Sequence, residues 1–273
     1  MHSGETAKNI RRIEIKANKL VDEIFSGEYR SGFRGKGMEF ENIRQYMAGD
    51  DVRNIDWNVT ARYDKAFVKQ FVEEREMNLF LLVDMSRSNR FGRKKELIAE
   101  ISATLAMSAA RNNDRVGAVL FTEKVERLIP SRNGKKHVLS IIDSILSFEP
   151  RHAGTDIAHV LQYFNRLEKK RSVVFLISDF LDDGYLKELK IADNLHDFIR
   201  IRVIDRAEER IPAGAIFTFE DLETGETYVM DNLKRDAHLS PLEGHSRKNL
   251  ITVYTDEDYV KPLKRFFRSR ARR

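Results

Sequence analysis

Cysteine is absent from the 273 residues. Disulfides, cysteine-ligated zinc, iron–sulfur clusters and thiol catalysis are therefore excluded, and a reducing compartment is the simpler setting. Long apolar runs are absent as well. The longest uncharged apolar stretches, residues 101–110 and 172–178, fall far short of the ~20 residues that cross a bilayer. Residues 1–20 hold no apolar segment of the kind a secretory signal needs. These absences predict a soluble, cytoplasmic protein. Catalytic signatures are missing too. Gly32, Gly35 and Gly37 are close together, but no strand precedes them and no Gly-Lys-Ser/Thr follows, so neither a P-loop nor a dinucleotide loop is indicated. The seven histidines form no His-x-x-x-His or His-Glu-x-x-His pair, and there is no Gly-x-Ser-x-Gly elbow.

A broadly basic face is also lacking. The chain carries 48 basic and 43 acidic residues, but Lys261, Lys264, Arg265, Arg268, Arg270, Arg272 and Arg273 all fall at the C-terminus. The body is therefore close to neutral, and the calculated pI of 9.2 describes a tail. A short polybasic end reads first as a solvated, frayed helix terminus. Contact with a membrane or with nucleic acid through it is the less favoured expectation.

What is present is a rhythm of apolar segments. Residues 6–26 carry Ile10, Ile13, Leu20, Val21 and Ile24 at helical spacing. The Gly- and Arg-rich residues 27–37 break that helix, and residues 38–64 read as irregular, with the single tryptophan, Trp57, as packing anchor. There Asp50, Asp51 and Asp56, interleaved with Arg44, Arg53 and Arg62, are expected to form an ion-pair and hydrogen-bond network. Beyond an edge strand in 65–76, apolar strands at 79–83, 115–121, 172–178, 198–204 and 250–254 alternate with helices at 94–112, 135–148, 156–167, 185–194 and 257–270. Residues 125–129 pair with 115–121, and 215–231 read as a hairpin turning near Glu223–Gly225. Continuous apolar strands between helices predict an open, doubly wound, mainly parallel α/β sheet covered on both faces. The expected organisation is a helix and irregular segment over 1–75, followed by a Rossmann-like domain over 76–273 with an inserted hairpin and a basic C-terminal helix.

Ligands of such a sheet bind outside the carboxyl ends of its strands. The strand at 79–83 delivers Asp84, Ser86 and Ser88 to that rim; the strand at 172–178 delivers Asp179; the turn before helix 156–167 delivers Thr155. Two carboxylates and three hydroxyls make an all-oxygen set suited to Mg²⁺ or Mn²⁺. Each residue also has a plainer reading alone. Thr155 suits a helix N-cap, Asp179 a turn, and Asp84 to Ser88 a polar loop after a strand.

Asp84-Met85-Ser86-Arg87-Ser88, Gly154-Thr155-Asp156 and Ser178-Asp179 resemble the metal-ion-dependent adhesion site of the von Willebrand factor A domain. The resemblance implies Ser86, Ser88 and Thr155 as hydroxyl ligands, with Asp84 and Asp179 acting through water or from behind. A second resemblance rests on residues 37–62, which read GxEFxxIRxYxxGDDVRxIDWNxTAR, on VKQFVEERE at 68–76 and on EDYVKPLKRFF at 257–267. These are similar to the bacterial domain-of-unknown-function family fifty-eight, whose members join this signature to a von Willebrand A-like core. Many members carry two membrane helices before the signature; no such helices precede it here. The family's association is with MoxR-type AAA+ ATPases.

The function expected from these readings is non-enzymatic, with no small-molecule substrate. A divalent cation at the rim would receive an acidic side chain from a MoxR-type AAA+ ATPase or its client, in chaperone-like maturation of another complex. One alternative is a metal-dependent hydrolase, a phosphatase or nuclease, drawing on Asp182, Asp183 or His152. Another is nucleic-acid binding through the Arg-rich residues 30–36 and the C-terminal tail.

Overall fold

A computed structural model of the chain describes residues 2–25, 39–63, 65–72, 76–90, 93–206, 210–211, 215–220, 227–232, 237–238 and 249–271. They fall into two units, one of residues 1–32 with 78–273 and one of residues 33–77.

The smaller unit contains strands β1 (Glu39–Gln45) and β2 (Phe67–Val72), paired antiparallel, with helix α2 (Trp57–Tyr63) between them. The irregular segment expected over 38–64 thus contains regular structure. Polar side chains shape it. Arg44 grips Asp50 with two charge-assisted bonds of 2.8 and 2.7 Å, while Asp50 also accepts from Met47 N–H. Asp51 accepts from the backbone and guanidinium of Arg53. Asp56 accepts from the N–H groups of Asn58 and Val59 at the start of α2 and lies 3.6 Å from Lys69. The expected network is therefore present, with Lys69 rather than Arg62 as the cation beside Asp56. Trp57, expected as an anchor, is 69% exposed.

The larger unit begins with α1 (His2–Phe25), which buries Ile13, Ala17, Leu20 and Val21. Its sheet contains β3 (Asn78–Asp84), β4 (Arg115–Phe121), β5 (Val125–Arg132), β6 (Val173–Ser178), β7 (Asp197–Ile204) and β12 (Leu250–Tyr254), in the order β12-β7-β6-β3-β4-β5. All neighbours are parallel except β4 and β5, whose antiparallel pairing follows from the tight connection between them. The remaining helices are α3 (Lys94–Arg111), α4 (Lys135–Leu146), α5 (Ile157–Leu167), α6 (Leu186–Leu195) and α7 (Val260–Ala271). Successive strand residues point to opposite faces. Val174 and Leu176 enter a core with Phe80, Leu82, Phe121 and residues of α5 and α6, whereas Phe175 meets Phe267 of α7 on the other face. Both faces are covered, which is why the strands read as unbroken apolar runs. The protein is a mixed α/β structure of Rossmann-like type, as the alternation predicts.

Outside the main sheet, β9 (Ala215–Glu220) pairs antiparallel with β10 (Thr227–Asn232), the expected hairpin; its turn lies outside the described residues. The short strands β8 (Arg210–Ile211) and β11 (Ala237–His238) form a second pair. The C-terminal helix departs from the frayed end expected of a polybasic tail. Arg270 pairs with Asp197 at the start of β7 and stacks over Phe266. Among the described residues no helix is long and apolar enough to cross a membrane.

Candidate functional site

From β3 the chain leaves through α3 to β4 on one side, and from β6 through α6 to β7 on the other. The carboxyl ends of β3 and β6 are therefore neighbours at which the connections diverge, the topological switch point where an open α/β sheet forms its ligand crevice. Register brings two acids there. Val83 lies beside Ile177, so the next residues along, Asp84 and Ser178, are adjacent.

Asp84 is fully buried, and its carboxylate is held from two sides. Ser178 Oγ donates to Oδ2 at 2.6 Å, and the Ser86 N–H donates to Oδ1 at 3.0 Å. The second bond is an Asx turn that folds the chain back over the carboxylate after β3. It leaves Ser86 Oγ and Ser88 Oγ 3.0 Å apart, while Asn89 Nδ2 donates to Ser86 Oγ at 3.3 Å. Burial, then the charge of Asp179, pushes the Asp84 carboxyl above the usual carboxylate range; the bonds from Ser178 and Ser86 oppose the rise.

Asp179 follows β6 and is almost fully buried. Its Oδ1 accepts from the Leu181 N–H at 3.2 Å, and its Oδ2 accepts from Lys94 Nζ at 3.1 Å. The next residue, Phe180, has φ +59°, a left-handed conformation uncommon for a bulky residue. Its buried side chain and the bond from its N–H to Ser178 Oγ hold that turn in place.

Thr155 belongs to the loop between α4 and α5. Arg87 N–H donates to Ala153 O at 3.2 Å, and Asp156 N–H donates to Thr122 O at 3.2 Å. The first of these ties that loop to the Asp84–Ser88 turn two residues before Thr155. Glu126 of β5 steadies the loop further, accepting from the N–H groups of Arg151 and His152. The N-cap of α5 is Asp156, which accepts from His159 N–H, so capping is not the task of Thr155.

The rim thus bonds Ser86 to Asp84 and Ser88, links Asp84 to the residue before Asp179, and places Thr155 in the adjoining loop. Ser178, quoted with Asp179 in the resemblance, proves to be the residue that holds Asp84. Two participants carry no sequence signal of their own. Asn89 lies just beyond the Asp-x-Ser-x-Ser pattern. Lys94 is one of two consecutive lysines at a helix start, yet it is fully buried.

The donors fit a small hard cation. Two adjacent ligands of an octahedral ion with bonds of about 2.1 Å lie about 3.0 Å apart, the separation of the two serine hydroxyls. Asn89 Oδ1 is buried and has no hydrogen-bond partner among the described residues. It adds an orphaned oxygen to a crevice lined by Asp84, Met85, Ser86, Asn89, Lys95 and Ile98. Among the described residues no three His, Asp or Glu converge on one point. Any cation here would rest on hydroxyls, amide oxygen and water more than on protein charge.

Among solved structures, conserved hypothetical protein BatB from Bacteroides thetaiotaomicron aligns with a TM-score of 0.47, at 14% identity over 72% of this chain and 100% of that one. An uncharacterised protein of Mycobacterium tuberculosis is 27% identical over 285 residues, covering 97% of this chain and 90% of the relative. The uncharacterised protein YeaD of Bacillus subtilis is 29% identical over 96 residues, covering 35% of this chain and 23% of the relative. The family described as "Protein of unknown function DUF58" matches residues 42–240, well over half of the sequence, and the chain belongs to that family.

Proposed function

We propose that the protein is a metal-dependent interaction module built on a von Willebrand A-like core. Ser86, Ser88 and Thr155 serve as hydroxyl ligands of Mg²⁺ or Mn²⁺, with Asp84 and Asp179 behind them. The observation that carries this reading is the pair of serine hydroxyls 3.0 Å apart above a buried carboxylate, at the switch point of the sheet. A bound divalent ion supplies an open coordination position for an oxygen from outside.

The chain's own residues build the receptacle. Asp84 positions Ser86 through its backbone, Ser178 fixes Asp84, and Thr155 follows two residues after the loop's bond to Arg87. Two of the residues weighed for hydrolysis are engaged elsewhere. Asp182 accepts from Ile157 N–H at 2.8 Å and is committed to the start of α5, while His152 pairs with Glu123 at 3.3 Å. Those bonds favour binding over hydrolysis as the task of the rim. The partner fitting such a receptacle presents an acidic side chain. The resemblance to family fifty-eight points to a MoxR-type AAA+ ATPase or its client.

The test is capture of the purified ATPase in Mg²⁺ against EDTA, with wild type and Ser86→Ala. Capture that needs Mg²⁺ and is lost in the variant supports the reading. Capture indifferent to both overturns it.

A further inference from the structure

Lys94 has no local reason to be where it is. It is the first residue of α3, where the positive end of the helix dipole disfavours a cation. It is also fully buried, although lysine is almost never so without a partner. Its Nζ lies 3.1 Å from Asp179 Oδ2, and Asp179 is itself buried. The other oxygen of Asp179 accepts from Leu181 N–H, so both carboxylate oxygens are engaged. The charge of Asp179 in turn reaches Asp84, the second carboxylate, behind the serine pair. Two neighbouring carboxylates repel each other, and a cation paired with one of them relieves the repulsion. The four-carbon stem of Lys94 delivers one from within the chain.

We propose that Lys94 is a tethered counter-cation that neutralises Asp179 in the metal-free protein and must release it before a divalent ion can be held at Ser86 and Ser88. This rests on the metal reading of the rim and adds to it a built-in competitor. An ammonium and a divalent cation draw on the same carboxylate charge. The lysine keeps the fold intact without metal and keeps the affinity of the site low. Metal capture becomes an exchange of one cation for another rather than the filling of a vacant acidic pocket.

The test is calorimetric titration of MnCl₂ into wild type, Lys94→Gln and the double variant Lys94→Gln/Ser86→Ala. Lys94→Gln should bind Mn²⁺ on the order of tenfold or more tightly than wild type, because a full positive charge beside the carboxylates is gone. The double variant should lose that gain. The metal-free melting temperature of Lys94→Gln should fall and be restored by Mn²⁺. If Lys94→Gln binds no more tightly than a wild type that does bind, the exchange is refuted and the metal site survives. If neither protein binds, both ideas fall together. A gain retained in the double variant would put the ion elsewhere and also overturn the proposal. Should Lys94→Gln not fold, the Lys94 Cε and Nζ resonances of wild type are followed during MgCl₂ titration. They should move as the ion pair opens, and unchanged resonances at saturation refute the exchange.

Discussion

Replacing Asp84 by asparagine in metal-free buffer should change stability in a pH-dependent way whose sign follows from the rim. Burial and the neighbouring charge of Asp179 raise the Asp84 carboxyl from 3.8 to about 7. The folded protein therefore binds a proton that the unfolded chain has already lost between those values, and wild-type stability falls as pH rises through that window. A tenfold change in proton affinity corresponds to roughly 1.4 kcal/mol, so the ionised carboxylate carries an upper limit of about 4 kcal/mol by pH 8. Asparagine removes this burden but replaces one acceptor oxygen with a donor facing Ser178 Oγ, a loss of about 1–2 kcal/mol. The variant should be no more stable than wild type near pH 4. Its relative stability should climb above that point, reaching a net gain of at most about 2–3 kcal/mol at pH 8. Urea denaturation at closely spaced pH values in EDTA measures the difference directly. A variant that loses ground as pH rises would refute the reasoning. It would mean that the Lys94 ammonium, not the Asp179 carboxylate, sets the field at Asp84.

Four other outcomes are expected. Ser86→Ala should change the metal-free melting temperature little, since its Oγ bonds only at the rim, yet abolish Mn²⁺ binding measured by calorimetry. Gly117→Ala should destabilise by about 2 kcal/mol or more in urea, because a Cβ there would lie 2.5 Å from Phe80 Cε1. His196 is buried against Phe164, and burial lowers its pKa below 6.5. The unfolded state then binds the extra proton, so stability is full above about pH 6.5 and lost as pH falls below it; His196→Phe should flatten that acid limb in pH-resolved denaturation. Arg270→Ala should lower stability by about 1 kcal/mol through loss of the partly buried pair with Asp197, whereas an unchanged denaturation midpoint would mean the helix end is loosely held.

The sheet was legible because it is buried on both faces. Leu79–Val83 and Val173–Ile177 have no solvent side, so their apolar character is continuous and their ends are sharp. The acids at those ends could be assigned to one rim without knowing the strand order, since every parallel strand ends on the same side. Polar organisation was less legible. Residues 39–63 hold a strand and a helix fixed by Asp and Arg side chains, and such bonds leave no apolar period to read. Lys94 was hidden for the opposite reason. A lysine beside a second lysine at the head of a helix looks solvated, and only the convergence of Asp84 and Asp179, which are far apart in sequence, makes its burial sensible. Arg270 was hidden in the same way, because its partner Asp197 is distant in sequence and the surrounding basic residues suggested a loose end.

The charge balance of the rim connects the proposed function with the proposed exchange. Without metal, the charge of Asp179, and of Asp84 once it ionises, stands beside the ammonium of Lys94, with Lys95 also lining the crevice. A bound divalent ion adds two positive charges to that balance and makes the crevice mouth more attractive to an acidic side chain. Such a change alters both the encounter rate and the hold on an acidic partner. A site made only of acids would need more metal charge to reach the same point. A site with a lysine but no serine pair could not release the lysine's carboxylate to anything. The combination of Lys94 with Ser86 and Ser88 therefore suits a contact that must be both reversible and dependent on an added cation. The salt dependence of partner capture should accordingly be steep in Mg²⁺, where added salt screens the attraction. Binding measured against ionic strength in Mg²⁺ decides the matter, and an affinity indifferent to salt would break the link between the rim's charge and its partner.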